Sequence, residues 1–296
     1  MISHETLRYV DIDSQDGTRI RAWTNDVAGP SVLLSNGLGT NPFAWPGLLR
    51  EDCGVHVVSW NHRGTGGGGR VAKRRVNLDA FVEDAVATLD AFGLERAPVL
   101  AWSAGVTVAF ELARRFPERV EGIYAIAGVP GDTFSTTLAP LRVPPFIARR
   151  MVVALSHTAR RFGPLVEPLT RDLPVVPLAS RVLRTTRLID PAADLEELQA
   201  LLHEFRTTHP RWYAHLALSV KDHQRISLSS IDYPVRFLAG RRDLLVGARY
   251  VKTAADRIAH AAYDEINATH FIGVEFPDYV TETLHDFVTE LRPGTR

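Results

Sequence analysis

Near the start of the chain, TLRYVDI (6–12) alternates apolar and polar residues, Asp16-Gly17 offers a turn, and TRIRAW (18–23) alternates again. This spacing predicts an antiparallel hairpin. Beyond it the pattern changes to short, nearly uninterrupted apolar runs: SVLLS (31–35), VHVVSW (55–60), APVLAW (97–102) and GIYAIAG (122–128). Runs of that kind suit strands buried on both faces of a parallel sheet. Between them, Leu78, Phe81, Val82, Val86, Leu89 and Phe92 recur at helical spacing behind Asn77, which is placed to cap a helix over 77–92. A second helix is expected from Ala104 to Arg115, ending before Phe116-Pro117 because a residue preceding proline is pushed out of helical backbone. The alternation of strand and helix predicts an α/β fold, with crossover helices covering a mostly parallel sheet.

From Thr133 to Ser229 the texture is different. Buried-strand runs are missing, helical patterns dominate, and 9 of the chain's 18 prolines fall there. Strand patterns return at VRFLAG (235–240) and AAYDEI (261–266), and a last helix is expected from Pro277 to Leu291. The organisation predicted is therefore a core of residues 1–132 and 230–296, interrupted by a helical insertion at 133–229.

The 34 basic and 34 acidic residues cancel, so no global field recruits nucleic acid or an anionic membrane. The insertion itself carries 13 Lys+Arg against 8 Asp+Glu, a local excess of +5. With 296 residues, 45% hydrophobic and 23% charged, the chain has enough apolar material for a full core, and disorder is excluded. One cysteine, Cys53, excludes an internal disulfide framework and a cysteine-based zinc site, and is read as a buried bystander. The eleven histidines show no HExxH or comparable ligand spacing, so neither a metal nor another cofactor is expected. The start has no apolar stretch of signal-peptide length and nothing approaches the ~18 apolar residues of a membrane span, so a soluble, cytoplasmic protein is expected.

Chemistry concentrates where the strand ending Ala101-Trp102 runs into Ser103-Ala104-Gly105 and then a helix. A serine on such a turn is lifted clear of the backbone, and small residues on either side let the turn pack tightly. Here the chain resembles the α/β-hydrolases, with AWSAG as the nucleophile elbow and VAFELARRFPERV as the helix and turn that follow. Ser35-Asn36-Gly37-Leu38-Gly39 lies where that family has its oxyanion loop. Trp60-Asn61-His62-Arg63-Gly64-Thr65-Gly66 is similar to its Asp-x-Arg-Gly-x-Gly loop, with Asn61 in place of the acid. Ala239-Gly240-Arg241-Arg242-Asp243 and Asn267-Ala268-Thr269-His270-Phe271 resemble the loops bearing the acid and the histidine. The resemblance covers roughly the first 130 and last 65 residues, and the insertion corresponds in place to the family's variable cap.

What the resemblance implies is a serine hydrolase with Ser103 as nucleophile, His270 as base and Asp243 orienting the imidazole. The backbone N–H groups of Leu38 and Ala104 would hold the oxyanion. The expected substrate is a small acyl compound: a carboxylic ester, lactone or thioester. Serine at 103 argues against the dehalogenase and epoxide hydrolase branches, which use Asp there, and SNGLGTN (35–41) is similar to the corresponding loop of enol-lactone hydrolases. A carbon–carbon bond hydrolase, a cofactor-free perhydrolase, or a ligand-binding protein on a hydrolase frame are the rival readings of the same residues.

Several residues have plainer alternatives. Asp243 could be a turn or capping residue, with Asp132 as the substitute acid. Asn36 and Asn61 read as turn residues and Arg63 as structural. Trp102 either flanks the substrate or fills the core. Gly64 to Gly69 fits a dinucleotide fingerprint literally, but Arg70 to Val76 intervene before the helix cap at Asn77, so no nucleotide is expected. Arg70, Lys73, Arg74 and Arg75 read as a solvated loop. In the insertion, Phe146, Ile147, Val152, Val153 and Leu155 surround Arg149, Arg150, Arg160 and Arg161. An ordinary lid helix is the expectation there. A lid that takes a long acyl chain or touches a membrane is favoured by the +5 charge but by no clean amphipathic period.

Overall fold

The computed structural model describes residues 7–69, 71–170, 175–221, 223, 226–228 and 231–292, with the backbone alone for 164–170. Strands β1 (Arg8–Asp13) and β2 (Arg19–Thr24) form the hairpin, followed by β3 (Ser31–Ser35), β4 (His56–Trp60), helix α1 (Leu78–Ala91) and β5 (Ala97–Trp102). Helix α2 (Ala104–Arg115) and β6 (Val120–Ile126) complete the first part. Four helices then intervene: α3 (Pro145–Thr170), α4 (Val175–Thr185), α5 (Leu195–Phe205) and α6 (Pro210–Ser219). The chain ends with β7 (Val235–Gly240), α7 (Ala248–Ala255), β8 (Ala261–Ile266), the single turn α8 (Ile272–Glu275) and α9 (Pro277–Leu291).

All eight strands join one sheet, in the order β1-β2-β4-β3-β5-β6-β7-β8. The hairpin strands pair antiparallel with each other and β2 antiparallel with β4, while every pair from β4 across to β8 is parallel. Alternation along β5 shows why the run is apolar throughout: Val99 and Ala101 face one core cluster with Phe81, Phe110 and Phe237, and Leu100 and Trp102 face another with Trp45, Tyr124 and Phe287. Helices α1, α2 and α7 cover the first face, and α9 with the single-turn segments at Pro42–Leu49 covers the second.

Local chemistry sets the boundaries. The Asn77 side chain accepts the Ala80 N–H at 2.9 Å and opens α1 as its position predicts. Strand β6 begins two residues earlier than the apolar run and ends before Ala127, whose φ of 46° turns the chain out of the sheet. Thr6, in the first predicted strand, lies outside the described residues. Helix α7 had no clear sequence signal, because only Val251, Ala254 and Ala255 of its eight residues are buried.

Arg63 is structural. Its guanidinium, 1% exposed, pairs with both Asp84 oxygens (2.8 and 2.9 Å) on α1, with Asp16 (2.8 Å) in the hairpin turn and with the Arg75 carbonyl (2.8 Å). Burial opposes its charge, but the bonds from Asp84 and Asp16 outweigh that and hold it above its usual pKa. Cys53 is buried beside the Leu48 and Val55 carbonyls, and burial pushes its thiol up.

Helix α6 seats the insertion on the core. Trp212 donates its indole N–H to the Arg63 carbonyl at 2.7 Å, and Tyr213 lies against Gly39, where φ is 68° and a Cβ would collide with the ring. Gly64 to Gly69 form a loop that precedes a short turn at Lys73–Arg75 rather than opening a helix, so the fingerprint has no helix N-terminus to offer. Lys73, Arg74 and Arg75 are exposed, as expected of a solvated loop, and Arg70 lies outside the described residues. Among the described residues no helix is long and apolar enough to cross a membrane.

Candidate active site

Strand β5 carries the chain to Ser103, whose φ of 56° and ψ of −121° lie where a non-glycine residue costs on the order of 1–3 kcal/mol. The surroundings hold it there. Its N–H donates to the Ile126 carbonyl at 3.0 Å, its own carbonyl accepts from Val106 at 3.1 Å, and helix α2 begins at the next residue. A side chain at Gly105 would overlap the Ser35 carbonyl oxygen, which explains the small residue two positions after the serine.

The two loops after β7 and β8 meet this turn. His270 Nε2 lies 2.9 Å from Ser103 Oγ, and His270 Nδ1 lies 2.8 Å from Asp243 Oδ2. Asp243 is fully buried, and its other oxygen accepts the N–H groups of Leu245 (2.7 Å) and Val246 (2.8 Å). One Asp243 oxygen therefore caps the turn while the other faces the imidazole. Asp132, itself in left-handed backbone, instead accepts the Ser135 hydroxyl at 2.6 Å.

Trp102 is turned into the core, 4% exposed, edge-on to Trp45 and stacked obliquely on His270. Its indole N–H donates to the His270 carbonyl at 3.0 Å, so of the two readings the packing one describes its position.

The loop after β3 is built around Asn36, buried, whose Oδ1 accepts both the Gly37 N–H (3.0 Å) and the Trp45 indole N–H (3.1 Å). Thr40 N–H donates to the Gly37 carbonyl at 3.0 Å, and Gly39 N–H to His62 Nδ1 at 3.4 Å. The N–H groups of Leu38 and Ala104 meet no acceptor among the described residues, and Ala104 stands at the N-terminus of α2, where the helix dipole is positive. Asn61 acts locally, donating to the Gly66 carbonyl at 3.2 Å.

A serine at a strained strand-to-helix turn, a histidine 2.9 Å away and a buried acid behind it follow one another along the chain in the order Ser, Asp, His, each at the C-terminal end of a parallel strand. The sequence model of the alpha/beta hydrolase fold matches residues 30–277. The chain belongs to the α/β-hydrolase family.

Within the family it is similar to RutD of Caulobacter vibrioides, which bears carbamate hydrolase in its name, at 32% identity over 124 residues, 41% of this chain and 46% of that protein. It is also similar to epoxide hydrolase B of Mycobacterium tuberculosis, at 33% identity over 138 residues, 40% of this chain and 37% of that protein. The chain thus spans less than half the length of these curated relatives. A solved esterase from Exiguobacterium antarcticum shares the fold with a TM-score of 0.74 at 15% identity, over 95% of this chain and all of that one.

Three residues around this α/β-hydrolase site escaped the sequence reading. Glu275 accepts the Thr269 N–H (2.8 Å) and hydroxyl (2.5 Å) beside His270, and also the Asp190 N–H (2.8 Å) from the insertion. Arg242, next to Asp243, pairs with the Asp190 carboxylate and donates to the Asn267 carbonyl at 3.0 Å. One ionic cluster thereby ties the loops of Asp243 and His270 to the connection between α4 and α5. Only the proximity of Glu275 to His270 in sequence hinted at this, since Asp190 lies 85 residues from Glu275 and 52 from Arg242. Among the described residues no group of His, Cys, Asp and Glu stands ready to hold a metal ion.

Proposed function

We propose that this chain is a cofactor-independent serine hydrolase that cleaves a carboxylic ester, lactone or thioester through an acyl-enzyme intermediate. The observation that carries the reading is the continuous hydrogen-bonded row Ser103–His270–Asp243, at 2.9 and 2.8 Å. As Ser103 Oγ attacks the acyl carbon, its proton passes to His270 Nε2, and the Asp243 carboxylate holds the imidazole in the right tautomer and stabilises the imidazolium. The carbonyl oxygen becomes an oxyanion that accepts from the Leu38 and Ala104 N–H groups. Collapse breaks the acyl–oxygen or acyl–sulfur bond, and the leaving group takes the proton from His270. Water then repeats the sequence and frees Ser103.

Residues 133–229 serve in this reading as a cap whose fit to the acyl and leaving groups sets specificity. The carbamate named for RutD is itself an acyl compound that the same steps would cleave, so carbamates belong in the substrate panel. Epoxide opening is a poorer fit, because alkylation of Ser103 would leave an ether that water does not readily hydrolyse, whereas a carboxylate nucleophile leaves an ester. A p-nitrophenyl ester series from short to long acyl chains, run on the wild type and on Ser103→Ala, tests the proposal. Ser103-dependent turnover peaking at one chain length supports it. Undiminished turnover in a clean Ser103→Ala preparation overturns it.

A further inference from the structure

Nine of the twelve large hydrophobic side chains that stand exposed among the described residues lie between positions 139 and 188. On α3, Ile147, Met151, Leu155 and Phe162 are separated by four, four and seven residues, which places them within about 80° of arc at 3.6 residues per turn. The adjoining side of the helix, with Ala148 and Ser156, is buried against its neighbours. Leu178 and Val182 repeat the pattern one turn apart on α4, at 61% and 49% exposure. A monomeric surface in water rarely leaves so many large apolar side chains of one segment exposed.

Charge follows the same segment. Positions 139–188 hold nine arginines against Glu167 and Asp172, whereas 190–222 hold six acidic residues against three basic ones. The cationic excess of the insertion is therefore concentrated in its outer arm. Arg150 and Arg161 are exposed along one flank of the α3 stripe, and Arg181 is exposed between Leu178 and Val182 on α4. Leu155, at the edge of the stripe, also lines a cavity of about 1050 Å³ with Ala159, Val175, Ala179, Phe205 and Tyr213. The apolar surface thus continues inward between the helices.

We infer that the exposed stripe of α3 docks on an anionic lipid surface. Aliphatic and aromatic side chains in an exposed stripe suit the acyl boundary of a bilayer, and long arginines beside them reach the headgroup phosphates. A second copy of the chain is a poor occupant, because a two-fold contact would set this cationic patch against itself. The inference is independent of the reaction at Ser103. It also explains why the linear sequence shows no clean amphipathic period: the stripe occupies only part of the exposed side of α3, and arginines share the rest.

Flotation of the full chain with phosphatidylglycerol-containing vesicles, beside pure phosphatidylcholine vesicles, tests it. Binding is expected to the anionic vesicles at low salt and to weaken at high salt. Met151→Ser/Leu155→Ser and Arg150→Glu/Arg161→Glu should each lower partitioning by about tenfold, with melting temperatures unchanged because all four positions are exposed. Equal binding to neutral vesicles, or none to anionic ones, would overturn the inference. Loss with the arginine pair alone would reduce the contact to a charge effect and overturn the apolar docking. A concentration-dependent dimer dissolved by the same substitutions, without vesicle binding, would assign the face to a second copy.

Discussion

The Trp102 indole N–H donates to the His270 carbonyl across 3.0 Å, so the residue that precedes the serine also tethers the loop that carries the histidine. The two loops come from positions 168 residues apart. Trp102→Phe keeps most of the ring packing against Trp45 and removes only this bond, worth about 1 kcal/mol. The expected outcome is a fall in kcat of about fivefold with KM little changed, since the reacting groups shift while residues 133–229 stay in place. Steady-state kinetics on any ester the wild type turns over checks this, and a rise in KM alone would point to substrate contact instead.

Asp243→Asn tests the orienting role separately from the fold. An amide retains the acceptor oxygen for Leu245 and Val246 but presents the wrong charge to His270 Nδ1. Melting temperature should change little, while kcat should fall by about 10³–10⁴-fold as the imidazole takes the wrong tautomer. The same substitution at Asp132, which faces Ser135 rather than His270, should leave kcat within about twofold.

The site was more legible in the sequence than the cluster that braces it. Ser103, Asp243 and His270 each follow a strand pattern, and the resemblance of their loops to those of the α/β-hydrolases supplied their expected roles. Helices α1 and α2 were equally readable from a cap residue and a proline. Glu275, Arg242 and Asp190 were not, because their bond pattern depends on how the α4–α5 connection folds back over the loops after β7 and β8, and no local periodicity encodes that. Trp102 was ambiguous for a related reason: the residue type suits a pocket wall or a core, and only the position of Trp45 and the His270 carbonyl decides between them. The stripe on α3 is diluted in the linear sequence by the residues that bury against α6.

His62 gives the fold an acid-sensitive component. Its ring is fully buried, edge-on to Phe81 at 4.8 Å, and burial lowers its pKa from 6.5 to about 4. The unfolded chain therefore binds more protons than the folded one between those values, and stability must fall as pH drops from 6.5 towards 4. The contribution is fully present above the unfolded value and amounts to at most about 3 kcal/mol. Urea denaturation at pH 7.5 and 4.5 should show this loss in the wild type and a much smaller one in His62→Gln. An equal loss in both would assign the acid sensitivity elsewhere.

Arg63→Met removes the guanidinium that Asp84 and Asp16 surround and leaves the Asp84 carboxylate buried without its partner. A stability loss of about 3–5 kcal/mol is expected in urea. Adding Asp84→Leu should recover part of it, because the stranded charge goes as well. Additive losses would show that the two residues act separately.

The central claim is that Ser103 is an activated nucleophile, and covalent labelling reads it most directly. Intact-mass measurement after treatment with a fluorophosphonate, followed by peptide mapping, should find one adduct on Ser103 in the wild type. Ser103→Ala should take up none, and His270→Gln should label at least a hundredfold more slowly, in line with the roughly 10²–10⁴-fold typical of general-base catalysis. An unlabelled wild type, or labelling that persists in Ser103→Ala, would contradict the account.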